Sequence, residues 1–283
     1  MDRQPIFNVP GVVLAAFALL GAIHGLREYV LTDEADAFAL VTFAFVPCRF
    51  TLGLDGAGLA EALGQLRQSE VATFFLGDGQ PQWWTLVTYA FLHADWTHLG
   101  MNLLWLAAFG APLARRFDTP RFIAFCLVTT AAGAAAHYAL HPYDCMPVIG
   151  ASAAVSGLTG ACLRFVFQPH GPLGGEWAAP GDEAYRQPAL TLRGLFSDSR
   201  ALTFLLFWFV VNFVFGAMSQ TMGLSQGHVA WEAHAGGFVA GLLLFSLFDP
   251  APRPAQSERL LSTPMRLSSP VGDKRMRRSG RSS

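Results

Sequence analysis

Glu232-Ala233-His234-Ala235-Gly236-Gly237-Phe238-Val239-Ala240-Gly241-Leu242-Leu243-Leu244-Phe245-Ser246-Leu247-Phe248 decides which solvent this chain folds in. After His234 the stretch carries no ionisable side chain. It is close to the roughly 20 helical residues that cross a bilayer core. Gly237 and Gly241 follow His234 by three and seven residues, so on a helix they share its face. That face is nearly bare, and a neighbouring helix can approach it closely. A lone histidine in a soluble protein is more often a satisfied core residue than a functional one. At membrane depth a polar side chain is costly and needs a partner or a wet cavity, which moves the balance toward function.

Working outward, five more segments have similar character: Val9–Leu26, His93–Leu113, Phe122–Leu140, Gly150–Phe167 and Ala201–Phe215. The chain of 283 residues is 52% hydrophobic and only 14% charged. Soluble proteins carry roughly 25% charged residues. The expectation is an all-α membrane protein with six transmembrane helices over residues 1–249, with a long external first loop. Val9–Leu26 is followed by Arg27, Glu28 and Tyr29 where a cleavage site would need small residues, so it reads as a span rather than a signal peptide. A net charge of -1 gives no support to nucleic-acid binding. Cys48, Cys126, Cys145 and Cys162 form no C-x-x-C pair and no zinc spacing. Cys126 and Cys162 lie in apolar runs and read as packing residues.

The connections divide by composition. Residues 31–82 mix acidic residues, glycines and apolar pieces too short to span, such as Ala37–Val46, and suit an interfacial lid. Residues 168–199 are rich in Gly and Pro and read as an irregular loop. Residues 250–283 hold Pro, Ser and Arg and are expected to be a disordered, basic cytoplasmic tail. Arg115, Arg116 and Arg121 follow the second segment, whereas Pro142–Ile149 and Gly216–Trp231 hold no Lys or Arg. The positive-inside rule puts 114–121 in the cytoplasm and the other two connections outside. Both termini are then cytoplasmic, and Ser152, His234 and Asn102 converge at one depth near the external side.

Gly150-Ala151-Ser152 is a weak signal alone, since Ser and Ala are common where membrane helices pack. His98 and Asn102 are four apart on one helix and can donate toward one point, which suits an oxyanion. His93 lies near the membrane edge, within bonding reach of a loop.

Three motifs in order carry a resemblance. His93-Ala94-Asp95-Trp96-Thr97-His98-Leu99-Gly100-Met101-Asn102 resembles the H-x4-H-x3-N signature of rhomboid intramembrane serine proteases. Gly150-Ala151-Ser152 resembles their nucleophile motif, and Ala233-His234-x-x-Gly237-x-x-x-Gly241 their catalytic-histidine helix. The resemblance covers about residues 84–248. It implies a Ser–His dyad, with Ser152 as nucleophile and His234 as general base. It implies an oxyanion hole of His98, Asn102 and the Ser152 N–H. It also implies access for substrate between the second and fifth spans past Phe204, Phe207, Trp208, Phe209, Phe213 and Phe215, rings that by themselves read equally as a lipid-facing aromatic surface. Partners would be transmembrane protein substrates and the lipid bilayer, with no cofactor or metal, and the location a bacterial inner membrane. The chain departs from the family at Ala153 (glycine there), at Ser156 (often an aromatic ring under the imidazole) and at Trp83-Trp84-Thr85, which lacks the family's arginine.

Two other classes compete. One is an inactive relative that binds membrane clients. The other is a transporter or metal site built from His93, His98, His228, Glu232 and His234. Activity that survives metal chelation and is lost with a serine-directed inhibitor separates the three.

Overall fold

A computed structural model describes residues 9–54, 70–218 and 229–250. Among the described residues the regular secondary structure is helical, apart from one isolated bridge between Phe45 and Val148. In chain order the helices are α1 (Gly11–Tyr29), α2 (Asp33–Phe43), α3 (Pro47–Leu54), α4 (Glu70–Leu76), α5 (Thr85–Thr88), α6 (Trp96–Trp105), α7 (Ala111–Arg116), α8 (Thr119–Leu140), α9 (Ser152–Cys162), α10 (Leu192–Leu195), α11 (Ser199–Met218) and α12 (Trp231–Phe248). A π turn, Leu106–Gly110, joins α6 to α7.

Among the described residues, α1, α8 and α12 are each long and apolar enough to cross a membrane, and α11 carries a shorter apolar stretch, Ser199–Val214. The predicted second span coincides with α6, the π turn and α7, and the fourth with α9 and the turns that follow it. The expected tail, apart from Pro250, lies outside the described residues.

α9 is the axis of the packing. Every residue from Ala153 to Cys162 is buried. A helix apolar on all sides belongs in an interior. Its small residues let neighbours approach to backbone distance, which is how helices associate where lipid removes the hydrophobic drive. A Cβ added at Gly237 would strike the Ala153 carbonyl, and one at Gly241 the Gly157 carbonyl. Both pairs hold one register, so α9 and α12 run parallel. On the other side of α12, a Cβ at Gly236 would strike Ala136 of α8. Gly133 of α8 lies against the Ala153 methyl and the Ala233 carbonyl. α8 begins with Asp118 accepting from the Arg121 N–H at 2.9 Å and with Pro120 in the first turn, where its missing N–H costs nothing.

Two polar clamps fix the end of the molecule away from Ser152. Arg116 bonds both carboxylate oxygens of Asp249 at 2.8 Å and the carbonyls of Tyr185 and Gln187, with its guanidinium over the Phe165 ring. Arg164 bonds the carbonyls of Leu190 and Leu242 and the Ser246 hydroxyl. The loop 168–199 is irregular as expected, with turns and short 3-10 pieces.

The described part of the segment 31–82 lies at the serine end. The described part folds as α2, α3 and α4 around one buried guanidinium. Arg49 donates to the carbonyls of Val41 (2.7 Å), Phe75 (2.8 Å) and Leu76 (3.2 Å) and to Gln82 Oε1 (2.6 Å). Burial pulls that guanidinium below its ordinary pKa, and Asp78 offsets part of the shift. Arg27 anchors the segment to α1 through Asp36 and reaches the His93 carbonyl at 2.8 Å. Cys48 and Cys145 form a disulfide between α3 and the connection after α8. Sequence spacing gave no sign of that pair, because its partners are 97 residues apart.

Candidate active site

The start of α9 is shaped by Gly150. Its φ of +117° is one that side chains rarely adopt, and a Cβ there would lie 2.8 Å from Cε1 and Nε2 of His98. The glycine therefore lets the chain turn sharply into Ser152 and lets an imidazole lie directly on the turn. The Gly150 N–H donates to the Tyr89 carbonyl at 3.0 Å, and the Ala151 N–H reaches His93 Nε2 at 3.5 Å. His93, fully buried, thus braces the turn as its position near the loop suggests. The first helical bond of this turn runs from Val155 to Ala151, so the N–H groups of Ser152, Ala153 and Ala154 have no acceptor within α9. They form the positive end of the helix dipole.

His98 is held at the start of α6 by Asp95, whose carboxylate accepts its backbone N–H at 2.7 Å. Its Nδ1 accepts from the Ala94 N–H at 3.4 Å. A neutral imidazole accepting at Nδ1 carries its proton on Nε2, the atom that faces Gly150. Asn102, buried one turn on, donates from Nδ2 to the His98 carbonyl at 2.9 Å. The second Nδ2 hydrogen remains for another acceptor.

His234 stands on the face of α12 that meets α9. The register of Gly237 with Ala153 and Gly241 with Gly157 puts His234 level with Gly150, two residues before the serine. His98 and Ser152 thus share the Gly150 turn, and the register sets His234 at the same level on α12, with Asn102 one helical turn along α6. His234 Nδ1 lies 3.0 Å from Oδ1 of Asn212 on α11. The Asn212 Nδ2 donates to the Trp208 carbonyl at 2.9 Å, which fixes the amide with its oxygen toward the imidazole. An imidazole donating at Nδ1 leaves Nε2 with a lone pair.

Asn212 is the residue that sequence reasoning missed. Ser156 stands where an aromatic ring would lie under the histidine, and it is buried within α9. The hydrogen bond from α11 supplies the orientation instead. Trp208, taken from the sequence as part of a gate, stacks on Phe238 of α12 with ring centroids 4.1 Å apart. Phe207 and Phe209 remain exposed on α11.

Among the described residues, the members of the metal or transporter set do not come together as one ligand group. His93 braces Ala151, His234 pairs with Asn212, and Glu232 meets His137 and His141 instead. His228 lies outside the described residues.

A family model for the rhomboid domain matches residues 80–249. The chain belongs to the rhomboid family. Among curated relatives, this rhomboid is 34% identical over 101 residues to a protein of Bacillus subtilis (strain 168) named "Putative rhomboid protease YdcA". The match covers 36% of the present chain and 50% of that relative, so the chain spans about half of the relative's length. Family membership and the apolar helices make this rhomboid a multi-pass integral membrane protein.

Proposed function

We propose that this rhomboid is an intramembrane serine endopeptidase that cuts membrane-protein substrates within or beside their transmembrane segments. The single observation that carries the reading is His98 lying on the Gly150 turn that leads into Ser152, and the register of α12 on α9 would bring His234, bonded to Asn212, level with that turn. The Ser152 Oγ attacks the scissile carbonyl while His234 Nε2 takes its proton. The oxyanion is met by His98 Nε2–H, the second Nδ2 hydrogen of Asn102 and the Ser152 N–H. Collapse of the tetrahedral intermediate breaks the C–N bond, and the imidazolium protonates the leaving amine. Water then repeats the sequence on the acyl-enzyme and restores Ser152. The test incubates the purified protein with a single-span membrane substrate and maps the cut by mass spectrometry.

Asn212 makes a graded prediction. A neutral hydrogen bond contributes about 0.5–1.5 kcal/mol net, and tenfold in rate is about 1.4 kcal/mol. Asn212→Ala therefore lowers kcat up to about tenfold with KM nearly unchanged, whereas Asn212→Asp keeps an acceptor and most of the rate. Equal kinetics for parent and Asn212→Ala would remove this residue from the scheme.

The same reading places six spans with both termini in the cytoplasm and the serine end outside. Two observations support it. The disulfide joins segments assigned to the outside, where oxidising conditions let such bonds persist. Arg116 and Arg164 gather at the opposite end. A reporter fused after Ser283 is expected to report the cytoplasm, and an external signal would reverse the orientation.

A further inference from the structure

Near the serine end, where α8 stops and α12 begins, three side chains converge that the proposed proteolysis leaves unused. His137 and His141 are four apart at the end of α8 and share a face. Glu232, in the first turn of α12, comes between them. His141 Nε2 lies 3.0 Å from Glu232 Oε1, and His137 Nδ1 lies 3.4 Å from Glu232 Oε2. The two imidazole rings are 5.0 Å apart. One candidate ligand atom from each residue lies within 4.8 Å of the others. His137 is only 5% exposed, and neither of its ring nitrogens has a hydrogen-bond partner in good geometry. A buried imidazole left in that state is expensive unless something else takes its lone pair.

We infer that His137, His141 and Glu232 form a site for a divalent transition metal of the zinc class, clamping the end of α8 to the start of α12. Two imidazole nitrogens and a carboxylate are a ligand set that zinc takes, with the fourth position open to water. Calcium and magnesium favour all-oxygen surroundings and are not served by it. Metal–ligand bonds of about 2.0–2.2 Å require donors a little over 3 Å apart. The two nitrogen–carboxylate separations of 3.0 and 3.4 Å meet that, and the three donors, within 4.8 Å of one another, would draw slightly closer on a metal. The site also has an outer support. Asp144 Oδ2 lies 4.0 Å from His137 Nε2, the nitrogen that metal binding at Nδ1 would leave protonated. Asp144 is itself placed by the Cys48 N–H on its carbonyl, by the Met146 N–H on Oδ1 and by the adjacent disulfide.

The histidines needed for this site are absent from the catalytic scheme, so the two readings fail separately. The test titrates zinc chloride into the tag-free full-length protein in detergent and measures bound metal after dialysis. Parent protein is expected to hold one zinc per chain and to unfold at a higher temperature with the metal present. His141→Ala changes a half-exposed residue that leaves the helix packing alone, and Glu232→Gln keeps the side chain's shape. Both are expected to lose the one-zinc stoichiometry and the thermal shift, and calcium to produce neither. The inference is overturned if the parent binds no saturable zinc, which would leave the cluster as a proton-linked ion pair, or if both variants bind zinc as the parent does.

Discussion

Ser152→Ala and His234→Ala are each expected to bring cleavage of a single-span substrate to background, and the double variant to be no worse than either. The two residues act as a unit: without the hydroxyl there is no nucleophile, and without Nε2 nothing takes its proton. Losses within such a unit do not add. Asn102→Ala belongs to a different class. It removes one oxyanion donor, typically about 10²–10³ in rate, while His98 Nε2–H and the Ser152 N–H remain. None of these substitutions touches the glycine contacts that hold α9 against α8 and α12, so helical content and unfolding temperature should be preserved. Substrate binding without cleavage in every variant and in the parent alike would favour an inactive client-binding relative. Substantial cleavage by purified Ser152→Ala would end the serine-protease reading.

What could be read in the sequence was local. Ser152, His98, Asn102 and His234 each sit in a short motif whose neighbours explain them: a glycine before the serine, a four-residue spacing between the donors, a glycine seam after the histidine. The glycine seam even foretold which helix face would be approached, and α9 lies there. Asn212 was hidden because nothing around it is distinctive. It is one amide in a run of aromatic and aliphatic residues, and its meaning depends on α11 leaning on α12 through Trp208 and Phe238. Arg49 was hidden for the same reason. Its partners come from three separate points of the chain between Val41 and Gln82, and only the fold brings them to one guanidinium. Cys48 and Cys145 look unremarkable apart, and the His137–His141 spacing acquires its third member only when α12 arrives with Glu232.

The second large effect is expected at Gly241, a residue with no chemistry of its own. A Cβ added there would fall on the carbonyl, carbonyl carbon and Cα of Gly157, all of them backbone. Neither helix has a flexible side-chain end that could swing away, so α12 must move as a body. Overpacking of this kind costs about 1–3 kcal/mol, and occasionally more, when side chains can still adjust. Here the obstruction is main chain, and Gly241→Val, with two further methyls, should lie at or above that range. The displacement also has a direction. Pushing α12 off α9 carries His234 away from the level of Ser152. Gly241→Val is therefore expected to lose activity almost as completely as His234→Ala, and in addition to unfold at a clearly lower temperature. Gly21→Ala on α1 is the matched control, because an added Cβ there meets nothing within 4 Å. It should change neither unfolding temperature nor turnover. Should Gly241→Val melt and cleave like the parent, α9 and α12 would not be packed backbone to backbone, and the placement of His234 level with Gly150 would fall with that contact.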